Sequence, residues 1–219
     1  MLLINRAGRK INKSNKGFTI VELMIATSIF GVILIVAASG VIAIGRIYYK
    51  GITSSKAQET SRSIIDTISR TIQFTGQPIS TGSDASGAQS LCFGEDRYSY
   101  TIDQPVTGSA DLIGLKYDKR TDLSTCAPIE PDDPAGSELL PENIRLLDLR
   151  VTSINPELFK INVKVAYGDN DLLTHYPANA DETSPPTAPP ASGLCRPSIV
   201  GGNFCATSEL ETIVNKRVK

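Results

Sequence analysis

The longest stretch of this 219-residue sequence without a charged side chain lies between Glu22 and Arg46 and contains 23 residues. About 20 apolar residues, rising ~1.5 Å each in a helix, span the ~30 Å hydrocarbon core of a bilayer. Such a segment constrains the fold more than any average over the chain, because it has no polar face to turn toward water. We therefore predict a membrane-spanning helix near the N-terminus and a separate domain formed by the residues after it.

Charge is distributed unevenly on the two sides of this segment. Residues 1–17 contain no acid and five basic side chains, so the rest of a chain with a formal net charge of −1 carries −6. Three basic residues follow the segment at a comparable distance: Arg46, Lys50 and Lys56. This bias predicts a cytoplasmic N-terminus and an extracytoplasmic C-terminal domain. The apolar stretch is too long for the hydrophobic region of an ordinary secretory signal.

The junction between the basic arm and the apolar segment reads Lys-Gly-Phe-Thr-Ile-Val-Glu over residues 16–22. It resembles the class III signal of type IV prepilins and pseudopilins, in which a basic leader ends in glycine and the fifth mature residue is glutamate. The resemblance implies cleavage between Gly17 and Phe18, followed by N-methylation of Phe18. The partners it implies are a prepilin peptidase, other pilin subunits that pack helix to helix, and a pilus assembly platform.

Glu22 is the charged residue at the edge of the apolar segment, where an ionised carboxylate is costly to insert. Two interpretations follow. Its side chain extends to the headgroup region at the helix end, or, as the resemblance implies, it pairs with the Phe18 amine of a neighbouring subunit during filament assembly. Cleavage supplies that amine.

The expected fold class is α+β, the pilin fold, with a long N-terminal helix packed on an antiparallel sheet. Isoleucines 64, 65, 68 and 72 recur at three- and four-residue steps, which predicts an amphipathic continuation of the helix until Gly76 and Pro78 end it. The predicted divisions are a cleaved leader (1–17), a transmembrane and polymerisation helix (18–47), an amphipathic helical half (48–76) and an extracytoplasmic β-rich domain (77–219).

Short β-branched and aromatic runs after this helix predict one antiparallel sheet, with the helix on one face and water on the other. The predicted strands are 91–93, 97–102, 112–117, 144–154, 158–167 and 210–218. Residues 79–90 are small and polar, which predicts a connector, and the proline-rich stretches 126–141 and 176–197 are predicted to be irregular. Residues 168–171 are interpreted as a turn, with an incomplete calcium loop as the alternative.

Four cysteines in an exported domain predict disulfides. Three pairings satisfy the count, and we take the sequential one, Cys92 with Cys126 and Cys195 with Cys205. A zinc site at the second pair is the alternative, but it would need more ligands than the single histidine, His175, supplies.

No phosphate-binding loop, dinucleotide fingerprint, nucleophile elbow or metalloprotease helix occurs in the sequence, so we predict neither an enzyme nor a cofactor nor a metal site. The mature charge of −6 argues against a broad nucleic-acid footprint. A structural filament subunit is the leading function, and the passages 139–150 and 158–167 resemble minor pilins. The alternatives are a minor pseudopilin of a type II secretion system and a signal-anchored, monomeric surface-binding domain.

Overall fold

The computed structural model describes residues 17–85, 87–104, 114–120, 125–130, 136–168, 172–173, 195 and 204–217. The chain divides into two compact units, Met1–Gly45 and Arg46–Lys219. Helix α1, Ile20–Phe74, contributes residues to both units.

In the first unit, α1 is an apolar helix whose large side chains are exposed on every face. None of its most hydrophobic 18-residue window is buried, and the window's mean hydropathy of 2.5 makes the helix long and apolar enough to cross a membrane. Since this stretch is uniformly apolar, it has no amphipathic stripe and no core of its own.

In the second unit, α1 is amphipathic and ends at Phe74, just before Gly76 and Pro78, as predicted. The predicted isoleucine stripe is confirmed: Ile64, Ile65, Ile68 and Ile72 are buried. Arg62, Asp66 and Arg70 lie on the exposed faces of the helix. The spacing places the apolar side chains on one side of the helix, where they pack into the core.

The second unit contains two antiparallel sheets. The larger has the strand order β1-β2-β3-β4-β5, with β1 Ile79–Ser83, β2 Gln89–Phe93, β3 Asp96–Tyr100, β4 Leu115–Lys119 and β5 Ser137–Glu138. The smaller has the order β6-β7-β8, with β6 Ile144–Asn155, β7 Leu158–Tyr167 and β8 Ala206–Asn215. Long helix and antiparallel sheets together give the expected α+β class, consistent with the pilin fold.

Both sheets contribute to one hydrophobic core with the isoleucine stripe of α1. Tyr98 and Leu115 come from the larger sheet, and Ile161 and Val163 come from the smaller, all with no exposed surface. The Tyr98 hydroxyl lies 2.7 Å from the Thr71 hydroxyl of α1, which adds a hydrogen bond between helix and sheet inside this core.

The prediction of a single sheet was wrong. The composition of each segment predicts a strand, but it does not predict which strands pair with each other. Among the described strands, β6 pairs with β7 and is an edge strand of the smaller sheet. The expectation that the opposite sheet face meets water was also wrong for part of the smaller sheet. There Leu147 and Ala166 lie in a second buried cluster with Leu173 and Cys205.

The connector predicted over 79–90 contains strand β1. Its sequence, Ile-Ser-Thr-Gly-Ser, shows no apolar alternation, and it is a strand because it pairs with β2 from Ile79 opposite Phe93 to Ser83 opposite Gln89. The two-residue β5 was missed for the same reason, because pairing with Lys116 and Tyr117 of β4 defines it rather than its composition.

Strand β7 has the predicted bounds, while the final strand begins four residues before the predicted start, at Ala206, and ends at Asn215. The chain beyond it stays in the fold, because the Arg217 N–H donates to the Gln73 carbonyl at 3.0 Å. The structure has the sequential disulfides, Cys92 with Cys126 and Cys195 with Cys205.

Candidate processing and assembly site

The start of α1 is fixed by a reciprocal pair of side chains, Thr19 and Glu22. The Thr19 N–H and the Thr19 hydroxyl each donate to Oε2 of Glu22 at 3.0 Å. In return, the Glu22 N–H donates to the Thr19 hydroxyl oxygen at 3.2 Å. Since the helix begins at Ile20, this is a capping box, with Thr19 at the N-cap and Glu22 at the third helical position.

Both hydrogen bonds from Thr19 end on the same carboxylate oxygen of Glu22. Within the described residues, the second oxygen, Oε1, has no hydrogen-bond partner in this chain. The side chain is exposed. The arrangement therefore orients Glu22 toward the N-terminal end of its own helix and leaves one oxygen accessible to a group from outside the chain.

The predicted cleavage bond lies outside the helix, in the two residues before Thr19. Phe18 is 86% exposed. An added Cβ at Gly17 would meet no atom within 4 Å. The bond is therefore exposed in the described part of the chain, where no contact requires glycine at position 17.

Two hydroxyl side chains of the helix after the capping box are hydrogen-bonded within it. The Thr27 hydroxyl donates to the Met24 carbonyl at 3.0 Å, and the Ser39 hydroxyl donates to the Val36 carbonyl at 2.8 Å. Such internal bonds let hydroxyl side chains enter hydrocarbon without unpaired donors. This part of the chain thus suits lipid or the apolar faces of other helices equally.

In the second unit, a cavity of about 840 Å³ is lined by residues of both α1 and the larger sheet. Arg62, Asp66 and Arg70 face Tyr98 and Tyr117 across it. Burial raises the pKa of Tyr98 to about 12, so this phenol stays neutral at physiological pH. Because both acidic and basic side chains line this cavity, it indicates neither a particular reaction nor a ligand of a particular charge.

Some predicted features fall outside the described part of the chain. They are leader residues 1–16, most of the 168–171 turn, His175 and the proline-rich stretch 185–190. Among the residues that are described, no group of three or more metal-ligating side chains converges. The disulfides occupy both cysteine pairs proposed as site residues.

Thr19 is the site residue that the sequence analysis missed. Its signal was present, since a threonine followed three residues later by glutamate and then an apolar run is the sequence pattern of a capping box.

Comparison with known proteins gives one finding at this junction. A family model described as the prokaryotic N-terminal methylation motif matches residues 12–38. No curated protein and no solved structure matches the chain. The motif implies a pilin-like or pseudopilin precursor that a prepilin peptidase processes and that assembles with other pilin subunits. Proteins with this motif are typically structural rather than catalytic. The chain therefore carries the class III signal peptide of type IV pilins and pseudopilins.

Proposed function

We propose that this chain is the precursor of a minor filament subunit. It is cut after Gly17, N-methylated on Phe18 and built through α1 into a type IV pilus or a related filament, where it primes assembly or lies at the tip. The proposal depends on one observation, the apolar helix of the first unit. No residue in the most hydrophobic 18-residue window of this helix is buried. Such a helix needs lipid before assembly and neighbouring helices after it.

Before cleavage the chain is a single-pass membrane protein. Its N-terminus is cytoplasmic and its C-terminal domain is extracytoplasmic, in keeping with five basic residues before the apolar segment and three after it. Cleavage removes residues 1–17, leaving 18–47 as the membrane and polymerisation helix, 48–76 as its amphipathic half and 77–219 as the β-rich domain. The mature subunit is then extracellular in the filament.

Glu22 has two compatible roles in this proposal. Within the chain, Oε2 accepts both hydrogen bonds from Thr19. Between chains, Oε1 accepts a hydrogen bond from the ammonium group that cleavage creates on Phe18 of a neighbouring subunit. A charged pair between subunits offsets part of the cost of holding a carboxylate among apolar helices.

The mass of the chain extracted from its host membrane tests processing. The proposal expects loss of residues 1–17 and gain of a methyl group on Phe18. An intact chain with its leader would overturn the proposal. The variant Gly17→Leu should reduce cutting, and because a Cβ at position 17 would meet none of the described residues within 4 Å, that effect would lie in the peptidase step.

Two matched substitutions separate the charge of Glu22 from its capping role. Glu22→Gln keeps a side-chain oxygen for the capping box but removes the charge. Thr19→Ala removes the capping hydroxyl but keeps the charge. The proposal expects Glu22→Gln to be processed normally and to be lost from filaments, whereas Thr19→Ala should retain substantial incorporation. Incorporation of Glu22→Gln at the unmodified level would contradict the charge pair.

A second candidate is the signal-anchored, monomeric surface-binding domain. The capping box favours it, because Thr19 already gives the Glu22 carboxylate a partner within one chain. The cavity between α1 and the larger sheet would then be the candidate ligand-binding site. An uncut chain that never enters filaments would support this candidate. A minor pseudopilin of a type II secretion system remains the alternative filament assignment.

A further inference from the structure

The second unit exposes aromatic and basic side chains where α1 enters it. Phe204 is 44% exposed and Tyr49 is 51% exposed. We call this group the interfacial collar, and its members are Arg46, Tyr48, Tyr49, Lys50, Ile52, Lys56 and Phe204. All seven are exposed.

Phe204 reaches the collar from the C-terminal part of the chain. Its ring centroid lies 5.3 Å from that of Tyr49, which in turn lies 6.1 Å from that of Tyr48. The next residue, Cys205, is 4% exposed and is disulfide-bonded to Cys195. Phe204 is therefore an exposed aromatic side chain directly next to a buried, disulfide-bonded residue.

Chain length limits how far the collar can lie from the apolar segment. Tyr49 follows Gly45, the last residue of that segment, by four positions. Four residues span at most ~14 Å even when fully extended. When the segment spans the hydrocarbon core, Tyr49 and the neighbouring Phe204 are consequently within reach of the headgroup region, where aromatic residues concentrate at membrane surfaces.

The collar also has the charge that suits an anionic surface. Arg46, Lys50 and Lys56 are basic, and no acid occurs between Glu22 and Glu59. The mature chain as a whole carries −6, so the positive charge of the collar is opposite in sign to the net charge of the chain. Basic residues next to a membrane span are attracted to anionic lipid headgroups.

We propose that, before assembly, the interfacial collar rests in the headgroup region of an anionic bilayer, with Phe204 inserted beside Tyr49. The C-terminal domain is then attached to the membrane at a second point besides its helix. This inference rests on the proposed membrane-anchored precursor, and it adds that leaving the bilayer requires Phe204 to be withdrawn from it.

The chain contains no tryptophan, so one introduced tryptophan reports on one position. Phe204→Trp tests the collar. Phe74→Trp is the matched control, because Phe74 is 62% exposed at the other end of the helical segment of the second unit. Phe30→Trp, in the apolar segment, reports whether the helix has inserted. Each full-length variant is reconstituted in phosphatidylcholine–phosphatidylglycerol vesicles containing lipids brominated at shallow or deep acyl positions.

The proposal expects blue-shifted emission from Phe204→Trp and quenching by shallow bromines, with Phe74→Trp unquenched. Leaving out phosphatidylglycerol should weaken the quenching. If Phe30→Trp is quenched by deep bromines while Phe204→Trp behaves like Phe74→Trp, the anchor stands and the collar proposal fails. If Phe30→Trp is not quenched, the membrane anchor itself fails. A Phe204→Trp blue shift that is lost on dilution with excess lipid would assign the collar to another copy of the chain and overturn the proposal.

Discussion

Gly82 of strand β1 lies where the chain around Cys126 passes closest to the larger sheet. A Cβ built at this position would overlap the Cys126 carbonyl oxygen, which belongs to the backbone and cannot rotate away. That carbonyl also accepts a hydrogen bond from the Ser90 hydroxyl. The absence of a side chain at position 82 is thus what lets the disulfide-bonded segment pack against β1 and β2.

Gly82→Ala should therefore destabilise the second unit by about 1–3 kcal/mol, the usual cost of forcing extra atoms into a packed site. Gly51→Ala is the control, because a Cβ at position 51 in α1 would meet no atom within 4 Å. It should be neutral or stabilising by up to about 1 kcal/mol, since alanine favours a helix over glycine. Thermal unfolding of the full chain in detergent measures both. Equal melting temperatures for the two variants would contradict the close approach.

Two buried tyrosines make stability depend on alkaline pH. Burial raises the pKa of Tyr98 and of Tyr100 to about 12 each, against an ordinary value of ~10. Between these values the folded chain holds the phenolic protons more tightly than the unfolded chain does. The stabilisation is complete below about pH 10 and is lost as the pH rises through about 12.

We therefore expect the free energy of unfolding to fall across this alkaline range. In the folded chain, tyrosinate absorbance should show that some tyrosines ionise only at a higher pH than the rest. This difference should disappear when the chain is denatured. Tyr98→Phe and Tyr100→Phe should each reduce it. A folded chain whose tyrosines all ionise together with those of the denatured chain would show that these phenols are not buried as described.

At the scale of elements, α1 joins two kinds of helix with different requirements. Before Gly45 its apolar side chains are exposed on every face, whereas after it the stripe from Ile64 to Ile72 is buried against both sheets. The first part contributes nothing to the core of the second unit. The helix thus stabilises the β-rich domain through the isoleucine stripe of its C-terminal half.

Ile68→Ala should consequently destabilise the second unit by about 2–5 kcal/mol, because Ile68 has no exposed surface and its loss leaves a cavity in the shared core. Ile213→Ala, the same substitution at a side chain that is 57% exposed, should change stability by less than about 1 kcal/mol. Denaturant unfolding of the full chain in detergent measures the difference. If the two variants unfold at the same midpoint, the helix does not pack as described.

Elements whose signal lies within their own residues were predictable from the sequence. Strand β7 alternates apolar and polar side chains, and both of its bounds were correct. Strand β1 has no such pattern, and its pairing with β2 depends on a glycine that tolerates the Cys126 carbonyl. The same contrast holds at the candidate site. The Gly17–Phe18 junction is a local motif, whereas the contact of Phe204 with Tyr49 joins residues 155 positions apart and leaves no local trace.

For the second unit as a whole, the two sheets meet along the outer edge of β6. The Asp103 N–H donates to the Leu146 carbonyl at 2.8 Å, and the Tyr100 hydroxyl donates to the Leu149 carbonyl at 3.2 Å. Bonds from the first sheet thus occupy carbonyls that would otherwise be an open strand edge. This is why one core serves both sheets, although among the described strands none of the first sheet pairs with one of the second.

Arg145 of β6 is the charged residue at this junction and is 1% exposed. It donates to the Asp103 carboxylate at 3.2 Å and to the Gly168 carbonyl at 3.5 Å, so it links the end of the first sheet to the end of β7. Breaking a buried ion pair by removing one member costs about 3–5 kcal/mol. Asp103 retains some solvent exposure, which places the expected loss for Arg145→Met at the lower end of that range.

Arg150→Met is the matched control on the same strand, because the Arg150 side chain is 66% exposed and pairs with Asp148 at the surface. Its expected effect is below about 1 kcal/mol. If Arg145 joins the two sheets, Arg145→Met should also increase hydrogen exchange at the amides of Asp103 and Gly168, while Arg150→Met should not. A stable Arg145→Met protein with unchanged exchange at both amides would show that the packed core alone holds the sheets together.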